Sequence, residues 1–213
     1  MVKRYVEGGG DTAALKVACR EGFSTFITHA GLNMRPRVVA CGSRKDAYES
    51  FCTAISHGED AMLLVDSEES VAAEYQSDSA KPETWLPWQH LKQRKGDGWE
   101  KPNGSLDTDC HLMVQVMESW FLADRDVLKE FFGQGFKSHL LPAAANAIEG
   151  VLKPQIYDGL DKASGNCKTK APYGKGEHSF KLLAIIDPGK ISAASPWARR
   201  FLDELKKKMG AKA

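Results

Sequence analysis

The sequence lacks any apolar run long enough to cross a membrane. Its 213 residues contain nothing close to the roughly 18–20 consecutive apolar residues of a transmembrane helix. The N-terminal MVKRYVEGGGD carries charges without a long apolar segment behind them, which is unlike a secretory signal. The five cysteines are widely spaced and form no CxxC pair, which argues against a disulfide framework or a zinc knuckle. We therefore expect a cytoplasmic protein with reduced thiols and no membrane partner.

The sequence also has almost no net charge, because 29 Lys and Arg balance 28 Asp and Glu to leave +1. These charges are unevenly distributed along the chain. Residues 57–83 carry eight acidic and one basic residue, whereas residues 151–213 carry thirteen basic and six acidic residues. The acidic segment is compatible with a bound cation. The basic segment can present the positive surface that a nucleic-acid backbone needs.

The first third of the chain alternates predicted strands with predicted helices. Val2–Val6, Val38–Gly42 and Ala61–Val65 are short apolar runs of the kind that form strands. Asp11 and Ser43 are suited to cap the two helices between them. Unbroken apolar strands separated by helices are typical of a parallel sheet covered on both faces. We therefore predict an α/β fold, a Rossmannoid parallel sheet flanked by helices.

Residues 77–109 are predicted to form a long, partly irregular inserted loop, because they contain several prolines and glycines. Trp85, Trp88 and Trp99 are interleaved there with lysines and arginines. Aromatic and basic side chains in this arrangement can stack on unpaired bases. Tryptophans in a long loop more often fix the loop to the body of the protein, and we favour that structural role.

The rest of the chain predicts one more strand and then helices. His111–Met117 is apolar and predicts the fourth strand. His111 and Asp124 are interpreted as structural residues, and Asp124 is expected to face solvent. We predict a single domain over residues 1–213, with a core in about 1–76 and 110–135, an insertion in about 77–109 and a helical C-terminal region in about 136–213.

Four carboxylates follow the predicted strands: Glu7 after the first, Asp66 and Glu68 after the third, and Glu118 after the fourth. Ligands of an open parallel sheet bind outside the carboxyl ends of its strands, so we take these four residues as candidate catalytic residues. Carboxylates that converge there repel one another unless a cation lies between them, and such hard oxygen ligands suit Mg²⁺ or Mn²⁺. On pattern alone, an ordinary loop role is about as frequent for each of them.

Glycines and basic residues are candidates for binding a phosphate. Gly8 and Gly9 stand in a run of three glycines that lets backbone N–H groups approach an anion. No Gly-Lys-Ser or Gly-Lys-Thr follows, so the run is not a Walker-type loop. Arg44, Lys175 and His178 can contact a phosphate, and an ordinary surface role is the alternative for each.

Two stretches, YVEG at residues 5–8 and LVDSE at residues 64–68, resemble the Toprim domain, the metal-binding core of topoisomerases, primases, and OLD-type and RloB-like nucleases. Over almost the entire chain, the sequence is also similar to a bacterial family of uncharacterised Toprim-like proteins that are distantly similar to RloB. This broader resemblance is carried by VEGGGD (6–11), CGSR (41–44), HLMVQ (111–115), MESWFLAD (117–124) and KGEHSF (175–180).

The resemblance implies a Toprim-like domain and a role for each matching residue. Glu7 matches the Toprim glutamate, which acts as a general acid or base and can be a metal ligand. Asp66 matches the first aspartate of the metal-binding pair. Glu68 stands where the second aspartate is usual, and this departure keeps the charge but adds one methylene.

The resemblance implies a Mg²⁺- or Mn²⁺-dependent nuclease that acts on DNA or RNA, including tRNA, as a phage-defence effector. RloB-like proteins are often encoded beside ABC-type ATPases, so such an ATPase is the expected partner. One alternative is a non-catalytic Toprim-like binding subunit that docks an ATPase or an effector. Another is a phosphohydrolase of free nucleotides. The sequence leaves the substrate and any homo-oligomeric state open.

Overall fold

The computed structural model describes residues 2–32, 37–143 and 147–210. Its centre is a four-stranded sheet in the order β2-β1-β3-β4, in which every neighbouring pair is parallel. The predicted α/β fold with a parallel sheet is therefore confirmed. The strands are β1 (Lys3–Gly9), β2 (Arg37–Gly42), β3 (Ala61–Asp66) and β4 (Cys110–Met113).

Helices surround this sheet and dominate the C-terminal part of the chain, as predicted. Among the described residues, each helix falls short of the length and apolarity that a bilayer crossing requires. The α-helices are α1 (Ala13–His29), α2 (Arg44–Ser56), α3 (Pro87–Gln93), α4 (Arg125–Phe132), α5 (Lys153–Ser164), α6 (Lys175–Ile185), α7 (Pro188–Ala194) and α8 (Pro196–Lys208).

Apolar side chains form a separate core on each face of the sheet. On one face, Phe26 of α1 stacks on Trp120 with ring centroids 5.3 Å apart. On the other face, Phe51 of α2 packs against Trp88 of the insertion. Every residue of β3 is buried, because this strand is internal to the sheet and covered on both faces. That burial explains why its sequence is an unbroken apolar run.

The starts of α1 and α2 follow the capping rules, with one difference from the sequence prediction. Ser43 caps α2 as predicted, through a reciprocal capping box with Asp46. At α1, the capping residue is Thr12 instead of Asp11, because the first helical residue is Ala13 and the cap must directly precede it. The Thr12 Oγ1 accepts a hydrogen bond from the third residue of the helix at 3.2 Å.

The region after residue 76 is more regular than predicted. The insertion contains α3, and β4 ends at Met113, four residues earlier than the sequence suggests. A 3₁₀ segment over Met117–Ala123 replaces the start of the predicted helix, and α4 begins only at Arg125. Trp85, Trp88 and Trp99 are all buried. This burial supports the structural role favoured for the three tryptophans.

Helix α8 covers the edge of the sheet beside β4. It is anchored by Arg200, which is 1% exposed and donates hydrogen bonds to three backbone carbonyls. Its Nε bonds Pro82 O at 2.7 Å, its Nη1 bonds Cys110 O at 2.8 Å, and its Nη2 bonds Asp107 O at 2.7 Å. One side chain therefore joins the insertion, the edge strand and the C-terminal helix.

We expect Arg200→Met to lower the free energy of unfolding by at least about 3 kcal/mol, because it leaves several buried carbonyls without a charged donor. Arg199→Met is the matched control. Arg199 is exposed and donates one hydrogen bond, to Ser192 O at 2.9 Å. Urea unfolding of both variants checks this prediction. Equal losses in the two variants would contradict it.

Candidate metal centre

Three carboxylates converge at the carboxyl edge of the sheet. Glu7 lies near the end of β1, Asp66 ends β3, and Glu68 follows two residues later. One oxygen of each side chain lies within 4.8 Å of the corresponding oxygens of the other two. Because β1 and β3 are adjacent parallel strands, their last residues reach the same edge. The structure thus brings together the three residues that the sequence analysis selected as metal ligands.

Glu7 is held by one backbone group and one cation. Its Oε2 accepts a hydrogen bond from the Asp66 N–H at 2.9 Å and lies 3.6 Å from Arg44 Nε. Burial disfavours the ionised carboxylate. Although both contacts oppose this effect, the pKa of Glu7 is raised to about 7. Near neutral pH, Glu7 is therefore poised both to accept and to donate a proton.

Asp66 is the only fully buried member of the three, with 3% of its surface exposed. Its Oδ1 accepts a hydrogen bond from the Met117 N–H at 2.8 Å. Burial, together with the nearby carboxylates of Glu7 and Glu118, raises the pKa of Asp66 well above its ordinary value. A divalent cation between the carboxylates would favour their ionised forms and reverse this shift.

Glu68 adopts an unusual backbone conformation. Its φ of 67° lies in the left-handed region, which costs a residue with a side chain roughly 1–2 kcal/mol. The Glu68 N–H donates to Gln115 O at 2.7 Å, and the Glu68 carboxylate forms an ion pair with Lys153 of α5. These contacts hold the turn that brings Glu68 back towards Asp66. Strained backbone of this kind clusters at functional sites.

Arg44 is committed to protein contacts. Its Nη1 and Nη2 donate to the Asp97 carboxylate at 2.6 and 2.8 Å, and its Nε donates to Asp66 O at 3.0 Å. Its guanidinium also lies 4.8 Å from the centre of a Trp99 ring. The phosphate contact expected from the sequence is therefore not supported. Arg44 instead fastens the insertion to the end of β3.

A cavity of about 270 Å³ opens beside the carboxylates. Gly8 and Gly9 form part of its wall, with φ values of 128° and 90°. A Cβ on Gly9 would lie 2.8 Å from Lys16 Cα, so only glycine fits where α1 approaches the end of β1. The cavity is lined by Glu7, Gly8, Gly9, Gly10, Leu15, Gly42, Asp66, Met113, Met117, Glu118, Lys175, Gly176, Ser179 and Phe180.

Glu118 reaches the cavity from the 3₁₀ segment after β4 and is fully buried. Its Oε2 accepts a hydrogen bond from Tyr157 at 3.1 Å. Its Oε1 accepts hydrogen bonds from Tyr173 at 3.0 Å and from Ser179 at 3.2 Å. Since hydroxyl groups engage both oxygens, these contacts favour a positioning role that holds α5 and α6 around the cavity. The catalytic role expected for Glu118 stays a prediction.

Lys175, the first residue of α6, contributes a cation to the cavity. Its Nζ donates to the Tyr157 hydroxyl at 3.1 Å. Burial disfavours the charged form of Lys175, but the carboxylates of Glu118, Asp66 and Glu7 outweigh burial and raise its pKa. The ammonium therefore stays protonated at neutral pH, and it faces the space that an anionic substrate would enter.

His178 belongs to the same helix but does not line the cavity. Only 2% of the residue is exposed, and its Nδ1 accepts a hydrogen bond from the Gly174 N–H at 3.0 Å. The ring packs edge-on against Phe131 and Phe132. The substrate contact expected from the sequence is not supported, because the ring is occupied in fixing the start of α6.

His111 and Asp124 are both structural, as the sequence analysis proposed. His111 is fully buried, and its ring nitrogens lie 3.0 Å from Thr108 O and from an Arg200 nitrogen. Asp124 is 1% exposed and pairs with Lys190 at 2.6 Å. The expected solvent exposure of Asp124 is wrong, because the start of α7 packs over this carboxylate.

Four residues that support the site were not found from the sequence. Asp97 holds Arg44, Lys153 pairs with Glu68, and Tyr157 and Tyr173 bond Glu118. Each lies dozens of residues from its partner and belongs to no local motif. Their roles depend on tertiary packing, so no motif in the sequence indicates them.

The donor set fits a hard divalent cation. Glu7, Asp66 and Glu68 offer only carboxylate oxygens, which is the chemistry that Mg²⁺ and Mn²⁺ prefer. Burial is the main cause of the raised pKa values of Glu7 and Asp66, and the basic groups nearby oppose it only in part. These three side chains would hold the ion, and its remaining positions would be available to water and substrate oxygens.

Comparisons with known proteins give a family but no named relative. A family model with the description "Domain of unknown function (DUF4276)" matches residues 6–206. No curated protein and no solved structure has a significant match to the chain.

We expect Glu7→Gln to stabilise the metal-free protein at pH 8. The pKa of Glu7 rises from 4.5 to about 7 on folding. The contribution of Glu7 to the free energy of unfolding is therefore fully present below pH 4.5, and it is lost as the pH rises through 7. The amide of the variant cannot ionise. Its free energy of unfolding should therefore exceed that of the wild type by about 1–2 kcal/mol at pH 8 and by less at pH 5. Urea unfolding in EDTA at both pH values measures this, and a variant no more stable than wild type at pH 8 refutes it.

Mn²⁺ should raise the melting temperature of the wild-type protein. An ion that binds only the folded state adds about 2.7 kcal/mol to the free energy of unfolding when its concentration is a hundred times its Kd. Asp66→Asn should remove this shift, since it deletes the charge of the buried ligand. Glu69→Gln is the control, because Glu69 neighbours Glu68 but lies outside the cluster with an exposed side chain. Thermal unfolding of the wild type and both variants, with and without millimolar Mn²⁺, measures the shift in melting temperature. A shift that survives Asp66→Asn would rule out this site.

Proposed function

Because the chain belongs to the DUF4276 family, a family of unknown function, its activity must be inferred from its own residues, and we propose that it is a Mg²⁺- or Mn²⁺-dependent nuclease of the Toprim type. The observation that carries the proposal is the convergence of Glu7, Asp66 and Glu68 at the ends of two adjacent parallel strands. Both the positions and the spacing of these residues match the resemblance to the Toprim domain.

Phosphodiester hydrolysis requires charge neutralisation and a group that transfers protons. Bound by the three carboxylates, Mg²⁺ or Mn²⁺ would neutralise phosphate oxygens and lower the pKa of a water molecule. Glu7, with its pKa near 7, is suited to take or give a proton. Lys175 holds a second positive charge at the cavity, where it can orient a phosphate and stabilise negative charge as it develops.

Basic residues around the site support nucleic acid as the substrate. Lys16 lies beside Gly9 on one side of the cavity, and Lys153 approaches Glu68 on another. Together with Lys175 they belong to three different helices, so the basic residues near the acidic cluster come from separate elements. Such an arrangement attracts a polyanion while keeping the metal ligands at the centre.

A role in phage defence beside an ABC-type ATPase is a further part of the proposal. It rests on the resemblance to RloB-like proteins, which are often encoded next to such ATPases. Co-purification of the chain with the ATPase encoded nearest to it would support this partner.

A cleavage assay with plasmid, single-stranded DNA and tRNA tests the nuclease. We expect hydrolysis of at least one of these substrates with Mg²⁺ or Mn²⁺ but not with EDTA, and we expect Glu7→Gln and Asp66→Asn each to lower that rate at least about a hundredfold. Glu69→Gln should leave the rate unchanged, since its exposed side chain lies outside the cluster.

Equal cutting by wild type and Glu7→Gln would show that the activity belongs to a contaminant. No cutting by a folded, metal-binding wild type would favour the alternative of a non-catalytic subunit. In that case, Asp66→Asn should still form the complex with the partner ATPase.

A further inference from the structure

Two of the clustered carboxylates are largely buried in the wall of the cavity instead of lying on an outer surface. Asp66 is 3% exposed, and the Glu7 side chain is 16% exposed. Walls rise around them from the end of β1, from α1, from the segment after β4, and from α6. A scissile phosphate must therefore enter the cavity to reach the acidic cluster.

The cavity is also small. Its volume of about 270 Å³ lies just below the roughly 300–1,000 Å³ of pockets that enclose drug-sized ligands. A DNA duplex does not fit into a cavity that is smaller than the pockets of drug-sized ligands. On one side, α1 and α6 pack closely, because a Cβ on Gly22 of α1 would lie 2.8 Å from the backbone oxygen of Phe180 in α6. A strand that passed through the site would need an exit on this closed side.

The lining has two chemically different parts. The carboxylates, the glycines at the end of β1 and Lys175 form a polar part that suits a phosphate with its metal ion. Leu15, Met117 and Phe180 form an apolar part that suits a flat, uncharged group. An apolar and aromatic surface next to a phosphate site matches a nucleoside, because every base offers a flat face for such contact.

We propose that the substrate occupies this cavity as one phosphate bearing one nucleoside, either the terminal nucleotide of a strand or a free mononucleotide. This inference rests on the proposed metal-dependent hydrolysis at this site. A terminal nucleotide as substrate would restrict the nuclease to strand ends, and a free mononucleotide would make the enzyme a phosphohydrolase instead of a nuclease. The acidic cluster would hold the phosphate through its metal ion, with Lys175 as a second cation, and the apolar wall holds the nucleoside.

The test compares three substrates of the same base composition in Mn²⁺: a linear single-stranded oligonucleotide, the same oligonucleotide closed into a circle, and a 5′-mononucleotide. We expect the linear strand to be degraded from an end at least about ten times faster than the circle. Release of inorganic phosphate from the mononucleotide, without hydrolysis of the linear strand, would identify the free mononucleotide as the substrate.

A variant pair tests the cavity itself. Leu15→Trp should fill the apolar part and lower the rate on the linear strand at least about tenfold. Val17→Trp places the same side chain on an exposed position of α1, where Val17 is 42% exposed, and should leave the rate unchanged. Circular dichroism verifies that both variants fold. The substrate comparison uses the wild type, so it stands even if Leu15→Trp fails to fold.

The outcomes distinguish a failure of the proposed nuclease function from a failure of the restriction to strand ends. Equal hydrolysis of circle and linear strand would overturn the restriction to strand ends while leaving the metal-dependent nuclease in place. Hydrolysis of none of the three substrates, by a protein that binds Mn²⁺, would overturn the nuclease and this inference with it. Equal rates for Leu15→Trp and Val17→Trp would show that the nucleoside does not use the apolar wall.

Discussion

The repulsion between carboxylates that are buried together at the carboxyl edge of the sheet is the interaction on which the rest of the site depends. Burial disfavours the ionised forms of Glu7 and Asp66, neighbouring carboxylates add to that cost, and the raised pKa values of both residues reflect the two effects together. The surrounding structure compensates in part, through the Met117 N–H on Asp66 and the Lys175 ammonium in the cavity. The remaining negative charge is concentrated in a confined space. A divalent cation is chemically suited to balance that charge.

This constraint separates residues that perform chemistry from residues that hold them. Arg44 would be a natural phosphate ligand by its position, yet Asp97 takes both of its terminal nitrogens. Glu118 carries a charge next to the cluster, yet hydroxyl groups engage both of its oxygens. Each of these groups stabilises an element of the cavity wall. Of the charged residues that line the cavity in the described part of the chain, Glu7, Asp66 and Lys175 are the ones assigned to the proposed hydrolysis, and Glu68 joins the first two in the acidic cluster.

The parts of the structure that follow from local patterns could be predicted, and the parts that follow from tertiary packing could not. Apolar strands and their acidic ends gave the parallel sheet and the meeting of Glu7 with Asp66, because strand direction alone determines which residues share an edge. Rules for helix starts placed the cap of α2 correctly and that of α1 one residue early. His178 stands three residues after Lys175 in the sequence, but only the packing of Phe131 and Phe132 reveals that its ring belongs to the core. Tyr157 and Lys153 reach the site from distant segments, so no spacing in the chain could identify them.

The anchoring of α8 at the edge strand has a consequence for the time course of synthesis. Arg200 bonds carbonyls of Cys110 and Pro82, which precede it by 90 and 118 residues. A ribosome that adds about 5–20 residues per second therefore exposes β4 for roughly 5–20 s before the helix that covers it exists. During this interval the sheet has an open edge, which is the kind of surface that pairs with another chain. The nascent protein is consequently most prone to misassociation after its sheet is complete and before its last helix emerges.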